Sequence, residues 1–234
     1  MRQVVLDTET TGLEAEQGHR VIEIGAVEII NRRLTRKHFH AYINPERDID
    51  AGALAVHGIT SEFLADKPVF ADVVDPFLAF IDGAELIIHN AAFDVTFLNH
   101  ELGLLESRHE LIGKRCKVTD SLALARDKHP GQRNSLDALC KRYNVDNSAR
   151  ELHGALLDAE ILADVYLAMT GGQVALFGGG DGGAAAADEV MAPFEHQPMS
   201  LPVIEPSADE EEAHQVMLKL LDKESGGNTV WRVS

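Results

Sequence analysis

The sequence predicts an α/β domain with a mixed sheet flanked by helices, followed by a flexible C-terminal tail. Strand-like apolar runs alternate with helix-like periodic stretches over residues 1–170. The first connections between strands are hairpin-like and therefore antiparallel, whereas helices lie between the later strands, so the sheet should be mixed. After Met169 the composition changes sharply, which marks the end of the domain.

The periodicity places the elements of the domain in order. We expect strands at residues 3–6, 21–30, 34–43, 86–89 and 116–119, with residues 31–33 turning between the second and the third. We expect helices at residues 69–81, 91–102, 119–127, 135–143 and 155–169, the second of them capped by Asn90.

Beyond residue 170 the chain divides into a linker and a terminal segment. Residues 171–187 hold seven glycines and five alanines, and four prolines follow. Because this composition buries too little apolar surface to order a chain, residues 171–208 are predicted to form a flexible linker. Residues 209–234 regain helical character as far as residue 224, with Asp209 as the expected cap. A lone short helix is marginal in water, so we expect it to bind a partner.

The composition excludes several classes of protein. The chain carries 38 acidic and 21 basic side chains, a net charge of −17. This balance argues against a passive nucleic-acid binder, which needs a basic face, but not against an enzyme whose acids hold cations. Apolar runs fall short of the roughly 20 residues of a membrane span. Two cysteines make no disulfide framework, so we expect a cytoplasmic protein with no membrane partner.

Asp7 and Glu9 are the first candidate site residues. They lie two positions apart at the end of the first predicted strand, so both carboxylates point to the same face. The carboxyl ends of strands are where open α/β sheets place their ligands. A polar turn after a strand would show the same residues, so this pair alone does not decide between the two interpretations.

Asp94 and Asp158 fall inside the apolar stripes of two predicted helices. An isolated carboxylate in such a stripe costs several kcal/mol unless it is paired or bound to a metal. We expect no ion-pair partners, because no base-rich segment lies near these acids. One such acid would indicate a buried salt bridge, but two of them together with the strand-end pair favour a shared cation site.

The four acids also indicate which cation the site would hold. Hard oxygen donors suit Mg²⁺ or Mn²⁺ rather than zinc, which prefers histidine and cysteine. Two such ions about 3.5–4 Å apart form the usual clamp for attack on a phosphodiester. The sequence therefore predicts a site for two divalent ions, Mg²⁺ or Mn²⁺.

His153 is the candidate proton acceptor. It lies five residues before Asp158, and Gly154 between them marks the entry to the last predicted helix. In that position the imidazole is free to swing over the cation site, where it can take a proton from an attacking water. Most of the 11 histidines are surface residues, and only its place beside Asp158 distinguishes His153 from them.

Three segments taken together resemble the exonuclease motifs of the DEDDh 3′→5′ exonucleases. They read DTETTG at residues 7–12, HNAAFD at 89–94 and HGALLDA at 153–159, in the order that the family has them. The resemblance covers residues 1–170 and is strongest to the proofreading subunits of bacterial replicative polymerases. It implies a ribonuclease H-like fold with a mixed five-stranded sheet, and removal of mispaired nucleotides from a DNA 3′ end.

The resemblance also implies a role for each site residue. Asp7, Glu9 and Asp158 look like ligands of the first metal ion. Asp94 looks like the ligand of the second, with Asp7 as a bridge between the two ions. His153 resembles the general base. The terminal nucleotide of a single-stranded or frayed 3′ DNA end would contact Thr10, Thr11, Leu13 and, as weaker candidates that could merely fill a turn or cap a helix, His57 and Asn90.

The tail resembles the docking segments of the same proofreading subunits. QVALF at residues 173–177 is similar to a peptide that docks on the sliding clamp, with Gln173, Leu176 and Phe177 as its contacts. Residues 209–234 resemble a segment that binds the polymerase (alpha) subunit, with contacts at Leu220, Leu221 and Trp231. A small theta-like accessory subunit is a further possible partner. The alternative is that these segments end the domain or pack back on it.

Two other functions remain open at this point. An RNA-trimming exoribonuclease of the same superfamily would share the three motifs, but it would have no use for tethered docking segments. A non-catalytic scaffold that joins clamp and polymerase would have no need of the four acids and His153, yet all five are present.

Overall fold

The computed structural model describes residues 1–105, 109–148, 150, 152–171 and 206–226. The chain divides into two compact units, Met1–Gly178 and Gly179–Ser234. In the described part of the chain, no helix has both the length and the apolar composition that crossing a membrane requires.

A mixed five-stranded sheet forms the centre of the first unit, with the order β3-β2-β1-β4-β5. The strands are β1 (Arg2–Thr10), β2 (Val21–Ile30), β3 (Arg33–Tyr42), β4 (Glu85–Ile88) and β5 (Lys117–Asp120). β1, β2 and β3 form an antiparallel ladder, whereas β1, β4 and β5 run parallel. The predicted mixed sheet is therefore confirmed, and β1 is its middle strand.

The helices of the first unit lie on both faces of this sheet. They are α1 (Ala51–His57), α2 (Ser61–Leu64), α3 (Phe70–Ile81), α4 (Ala91–Leu104), α5 (Ile112–Arg115), α6 (Ser121–Lys128), α7 (Leu136–Tyr143) and α8 (Ala155–Thr170), with a short 3-10 turn at Ala15–Gln17. One apolar core joins α3 and α4 to one face through Val4 and Leu6. A second core joins α7 and α8 to the other face through Val5. The alternating side chains of β1 thus separate the two cores.

The predicted strands and long helices are confirmed, and the short helices were missed. β1 extends to Thr10, so Asp7 and Glu9 belong to the strand itself rather than to the turn after it. The turn between β2 and β3 has positive φ at Asn31 and Arg32, as a two-residue hairpin requires. Helices α1, α2 and α5 were not predicted, because four to seven residues are too few to show a helical period.

The predicted cap of α4 is confirmed in its position but not in its hydrogen bond. Asn90 occupies the position before α4, but its backbone is left-handed, with φ 66° and ψ 51°, and its side chain makes no capping hydrogen bond. Asn tolerates this conformation better than most residues, which explains its presence at a sharp entry into a helix.

The second unit contributes one described helix, α9 (Ala208–Glu224). Its cap is Ser207 rather than the predicted Asp209, because Ser207 and Glu210 form a reciprocal capping box. None of its residues is buried, and Val216, Met217, Leu220 and Leu221 are 46–58% exposed. Apolar residues at such spacing form an exposed stripe along the helix.

Candidate active site

The middle strand carries the first two carboxyl groups of the site. Asp7 and Glu9 lie near the carboxyl end of β1 and share the face that looks towards α8. On the neighbouring strand, Asp7 pairs in register with Gly25 and Glu9 pairs with Glu23. The fold therefore holds three carboxyl groups close together on one face of two paired strands.

Asp94 reaches the site from the first turn of α4. Its side chain is only 3% exposed, which confirms that an acid interrupts the apolar stripe of this helix. The hydroxyl of Thr8 donates a hydrogen bond to Asp94 Oδ1 at 2.7 Å. Because Thr8 lies between Asp7 and Glu9 on β1, this bond fixes Asp94 directly to the strand that carries the other acids.

Helix α8 brings Asp158 to the same place, and β2 positions the beginning of that helix. A Cβ atom at Gly25 would overlap the backbone of Ala155 and Leu156, so only glycine allows the helix to lie this close. Glu23 Oε2 also accepts a hydrogen bond from the Ala155 N–H at 3.1 Å. This contact satisfies an N–H group that has no partner within the helix. Asp158, one turn further on, is 3% exposed.

The four acids meet in one cleft of about 380 Å³, with His153 at its edge. Ligand atoms of Glu9, His153 and Asp158 all lie within 4.8 Å of one another, close enough to contact a single ion. The donors are oxygen atoms and one imidazole nitrogen, a set that suits a hard divalent cation. The structure thus brings together the residues predicted from three distant segments.

The electrostatics of the cleft favour a bound cation. Burial, followed by the charges of Asp94 and Glu9, raises the pKa of Asp7 well above its ordinary value. Burial, followed by the charge of Asp158, raises the pKa of Glu9 from 4.5 to about 8. The pKa of Asp94 is likewise raised by burial, although the hydrogen bond from Thr8 opposes the shift. Packed carboxyl groups retain protons unless positive charge compensates them.

Arg150 contradicts the expectation that these acids have no ion-pair partner. Its Nε and Nη2 atoms donate to Asp158 Oδ1 at 2.5 Å and to Asp158 Oδ2 at 2.6 Å. Its Nη1 atom donates to Asp137 Oδ1 at 2.7 Å. The expectation was wrong because it looked for a base-rich segment, whereas a single arginine in a loop is enough for a two-pronged ion pair.

His153 lies in the loop before α8, as predicted, with Gly154 as the N-cap residue. Its side chain is 46% exposed, so the imidazole is accessible to water. Its Nδ1 atom lies 2.9 Å from Arg150 Nη2 and 3.3 Å from Asp158 Oδ2. Its backbone N–H donates to the Val56 carbonyl at 3.2 Å, which ties this loop to the end of α1.

Three of the proposed nucleotide contacts line a second cavity beside the carboxylate cleft. This cavity has a volume of about 430 Å³, and Thr10, Leu13 and His57 are among its walls. Leu13 is 81% exposed there. His57 is 5% exposed; its Nδ1 accepts the Ile59 N–H, and burial lowers its pKa, so near neutral pH it is an uncharged imidazole. Glu9 belongs to both cavities and connects them.

The other two proposed nucleotide contacts, Asn90 and Thr11, do not line this second cavity. Asn90 lines the carboxylate cleft itself, where its side chain is exposed. Thr11 is fully buried, and its hydroxyl contacts His19 Nδ1 and accepts the Arg20 N–H at 3.0 Å. Both backbone groups of Thr11 are bonded as well, to Arg20 and Asp50. Thr11 therefore shapes the turn, and its contact with a nucleotide stays a prediction.

The proposed docking contacts are placed only in part. Gln173, Leu176, Phe177 and Trp231 lie outside the residues that the structure describes. Leu220 and Leu221 are 53% and 46% exposed on the stripe of α9.

Sequence reasoning missed Thr8, Glu23, Asp137 and Arg150. Thr8 lies within the first motif, but its position between two acids gave no sign that its hydroxyl would bond a helix residue. Glu23 is one of two acids, with Glu28, in an otherwise apolar strand, which was a usable signal of a buried hydrogen-bonding role. Asp137 and Arg150 are charged residues of kinds that commonly lie on protein surfaces, so nothing in the sequence distinguishes them. Only the fold brings them to the cleft.

Comparisons with known proteins agree with this geometry. The family model described as Exonuclease (RNase T) matches residues 4–166. DNA polymerase III subunit epsilon of Salmonella typhimurium is 54% identical over 241 residues, which cover 99% of this chain and 97% of that protein.

Two solved structures share the fold. Exonuclease X in complex with 5′ overhanging duplex DNA has a TM-score of 0.57 and 28% identity, covering 72% of this chain and 91% of its own. The nuclease domain of 3′hExo, a DEDDh family member bound to rAMP, has a TM-score of 0.62 at 19% identity. That alignment covers 72% of this chain and 90% of the 3′hExo chain, and at this identity it shows the fold alone.

Proposed function

The chain belongs to the RNase T exonuclease family and is a DNA exonuclease of the kind associated with DNA polymerase III, and we propose that it removes 3′-terminal nucleotides by two-metal hydrolysis. One observation carries the chemical part of this proposal. Four carboxyl groups from β1, α4 and α8 line one cleft together with a half-exposed histidine. Such an arrangement is unfavourable unless cations compensate the acids.

Each acid has a role in the proposed site. Asp7, Glu9 and Asp158 would hold the first ion, and Asp94 the second, with Asp7 shared between them. The ions would be Mg²⁺ or Mn²⁺, because the donors are carboxylate oxygens. Two such ions would supply positive charge to the entering and leaving oxygens of the phosphodiester.

His153 would act as the general base. It lies at the edge of the cleft with its ligand nitrogen within 4.8 Å of the oxygens of Glu9 and Asp158. An exposed imidazole can rotate to accept a proton from the attacking water and release it to solvent. The product would be a nucleoside 5′-monophosphate.

The second cavity would receive the terminal nucleotide. Its apolar walls, formed in part by Leu13 and His57, suit the flat faces of a base. A mispaired end would enter more readily, because a frayed nucleotide needs less energy to leave the duplex. Contacts to Thr10, Thr11 and Asn90 belong to the same proposal.

The proposed partners are inferred from the C-terminal tail of this chain and from the similar proteins. The DNA polymerase III subunit epsilon relatives support association with a polymerase, and the apolar stripe of α9, which includes Leu220 and Leu221, offers a surface for it. We assign Trp231 to the same contact and Gln173, Leu176 and Phe177 to a sliding clamp. A theta-like accessory subunit on the nuclease domain completes the proposed replisome assembly. In this organisation residues 1–170 form the exonuclease domain, residues 171–208 the linker and residues 209–234 the polymerase-binding segment.

The two other functions are less well supported. The similarity to DNA polymerase III subunit epsilon extends over nearly the whole chain, including the tail, which favours a replicase exonuclease over an RNA-trimming enzyme. The intact carboxylate cleft argues against a scaffold without catalytic activity.

The test is a Mg²⁺-dependent digestion of primer-template DNA with a 3′ mispair, with a short RNA as the alternative substrate. We expect the wild type to prefer the DNA, and we expect Asp7→Ala and His153→Ala to lose most of the activity while remaining folded by circular dichroism. Faster hydrolysis of the RNA would favour the trimming enzyme. Activity that is unchanged in Asp7→Ala would favour the scaffold.

A further inference from the structure

Arg150 is the one cation that the described residues place in contact with the acids of the cleft. Its side chain is 8% exposed, and its guanidinium covers both carboxylate oxygens of Asp158, at 2.5 and 2.6 Å. Two parallel hydrogen bonds between a guanidinium and a carboxylate form a strong, directional pair. Asp158 is therefore engaged through the same oxygens that a metal ligand must offer to an ion.

The guanidinium of Arg150 and a divalent ion bound to Asp158 would repel each other. Ligand atoms of Asp158 and Glu9 lie within 4.8 Å of each other, so an ion held by them would be only a few ångströms from Arg150. Like charges at such a distance in a buried cleft repel strongly. A divalent ion at this position would therefore weaken the Arg150–Asp158 pair.

Asp137 offers Arg150 a second position. This carboxylate lies in the first turn of α7, is 56% exposed, and already accepts a hydrogen bond from Arg150 Nη1 at 2.7 Å. Arg150 can therefore release Asp158 and still keep Asp137 as an anionic partner. The guanidinium would turn about the bond that it already makes.

We propose that Arg150 is an internal counter-cation that competes with the divalent ion for Asp158 and moves towards Asp137 when the ion binds. This inference rests on the proposed metal site. Arg150 is thus a positioning residue, which keeps the acidic cleft folded and sets how tightly the metal is held.

The same movement would affect His153. A guanidinium can only donate, so His153 Nδ1 accepts from Arg150 Nη2 at 2.9 Å, and in the neutral ring the proton then lies on Nε2. Both nitrogens are then occupied. Release of Arg150 would remove this hydrogen bond, so binding of the ion would also free His153 Nδ1.

The experiment is a calorimetric titration of the full chain with Mn²⁺ alone, without DNA. We compare wild type, Arg150→Gln, Arg150→Lys and Lys141→Gln. Lys141 is an exposed cation on α7, one helical turn after Asp137, so its substitution removes the same charge without touching the cleft. The expected Kd for Mn²⁺ of Arg150→Gln is about tenfold lower than that of wild type, because a competing cation is gone.

The controls show whether a change in Mn²⁺ affinity comes from the guanidinium of Arg150 itself. Arg150→Lys keeps the positive charge but loses the two parallel hydrogen bonds of the guanidinium, so its Kd should lie between those of wild type and Arg150→Gln. The Kd of Lys141→Gln should stay within about twofold of wild type. In EDTA, Arg150→Gln should melt at a lower temperature than wild type, and Mn²⁺ should raise its Tm by more. Damage to the fold would weaken metal binding rather than tighten it, so the direction separates competition from a structural role.

Three results would overturn the inference. The first is a Kd for Arg150→Gln that is equal to or higher than that of wild type. The second is an equal tightening in Lys141→Gln, which would indicate a general charge effect. The third is that wild type itself binds no Mn²⁺, which would remove the proposed metal site along with the inference; in the first two cases the metal site would stand.

Discussion

Glu9 shows how a single residue of the cleft connects stability to metal binding. Burial and the charge of Asp158 raise its pKa from 4.5 to about 8. The folded protein therefore holds a proton that the unfolded chain has already released near neutral pH. The stability contributed by this proton is complete below about pH 4.5, and it is lost as the pH rises through about 8.

We expect the free energy of unfolding in EDTA to fall by about 1 kcal/mol from pH 7 to pH 8. The raised pKa values of Asp7 and Asp94 act in the same direction. The lowered pKa values of His57 and His89 make the free energy of unfolding rise with pH, but mainly below about pH 6.5. Measurements between pH 7 and pH 8 therefore largely avoid the contribution of these histidines. Urea unfolding at several pH values measures the slope.

Glu9→Gln should flatten this pH dependence, whereas Glu160→Gln, at an exposed position on α8, should leave it unchanged. A wild-type stability that is constant or rises between pH 7 and pH 8 would contradict the pKa assigned to Glu9. So would equal slopes in wild type and Glu9→Gln.

Single residues also show what the sequence could and could not reveal. Asp94 and Asp158 were recognisable because a carboxylate inside an apolar helical stripe needs a special reason. Arg150 was not, because it lies in a loop, where an arginine is ordinary, and its contacts with Asp137 and Asp158 depend on how α7 and α8 pack. Periodicity carries no information about such a tertiary contact.

At the scale of elements, the site depends on how closely α8 approaches β2. The absence of a side chain at Gly25 allows the backbone of Ala155 to lie directly over the strand. Glu23 then binds the N–H of Ala155. The first turn of α8, which carries Asp158, is placed by these two contacts.

Gly25→Ala should therefore displace the beginning of α8. We expect a loss of about 1–3 kcal/mol in the free energy of unfolding, together with reduced nuclease activity, because Asp158 moves with the helix. The control is Gly103→Ala on α4, where a Cβ would meet no atom within 4 Å and alanine favours the helix. Equal stability and activity in Gly25→Ala and wild type would show that α8 is not held in this way.

The elements themselves were predicted better than their ends. The strands and long helices follow from apolar periodicity, which the packing on both sheet faces preserves. Asn90 is the N-cap residue of α4 as predicted, although its left-handed backbone leaves its side chain without a capping hydrogen bond, whereas the cap at Asp209 was wrong because Ser207 forms a better reciprocal pair with Glu210. Several polar residues near a helix start can serve as caps, and the sequence alone does not choose among them.

At the scale of the whole molecule, the carboxylate cleft and the proposed polymerase-binding stripe belong to different units of the chain. The carboxylate cleft lies in Met1–Gly178, and α9 lies in Gly179–Ser234. Activity on a free DNA end and attachment to a polymerase should therefore be separable by substitution.

The double variant Leu220→Asp with Leu221→Asp tests this separation in the full chain. We expect its hydrolysis of single-stranded DNA to equal that of wild type, and its binding to the polymerase subunit of its replicase to weaken by at least about tenfold, because charge replaces apolar contact. His214→Asp adds negative charge to α9 without removing apolar surface, and should bind almost normally. Wild-type affinity of the double variant, measured by surface plasmon resonance, would exclude this stripe as the contact.

The most direct measurement is an anomalous diffraction map from a crystal of the full chain soaked in Mn²⁺. We predict two peaks in the cleft, about 3.5–4 Å apart, one contacted by Asp7, Glu9 and Asp158, the other by Asp7 and Asp94. We also expect the guanidinium of Arg150 to have moved from Asp158 to Asp137. A cleft without peaks, or peaks bound by residues outside these four acids, would contradict the account.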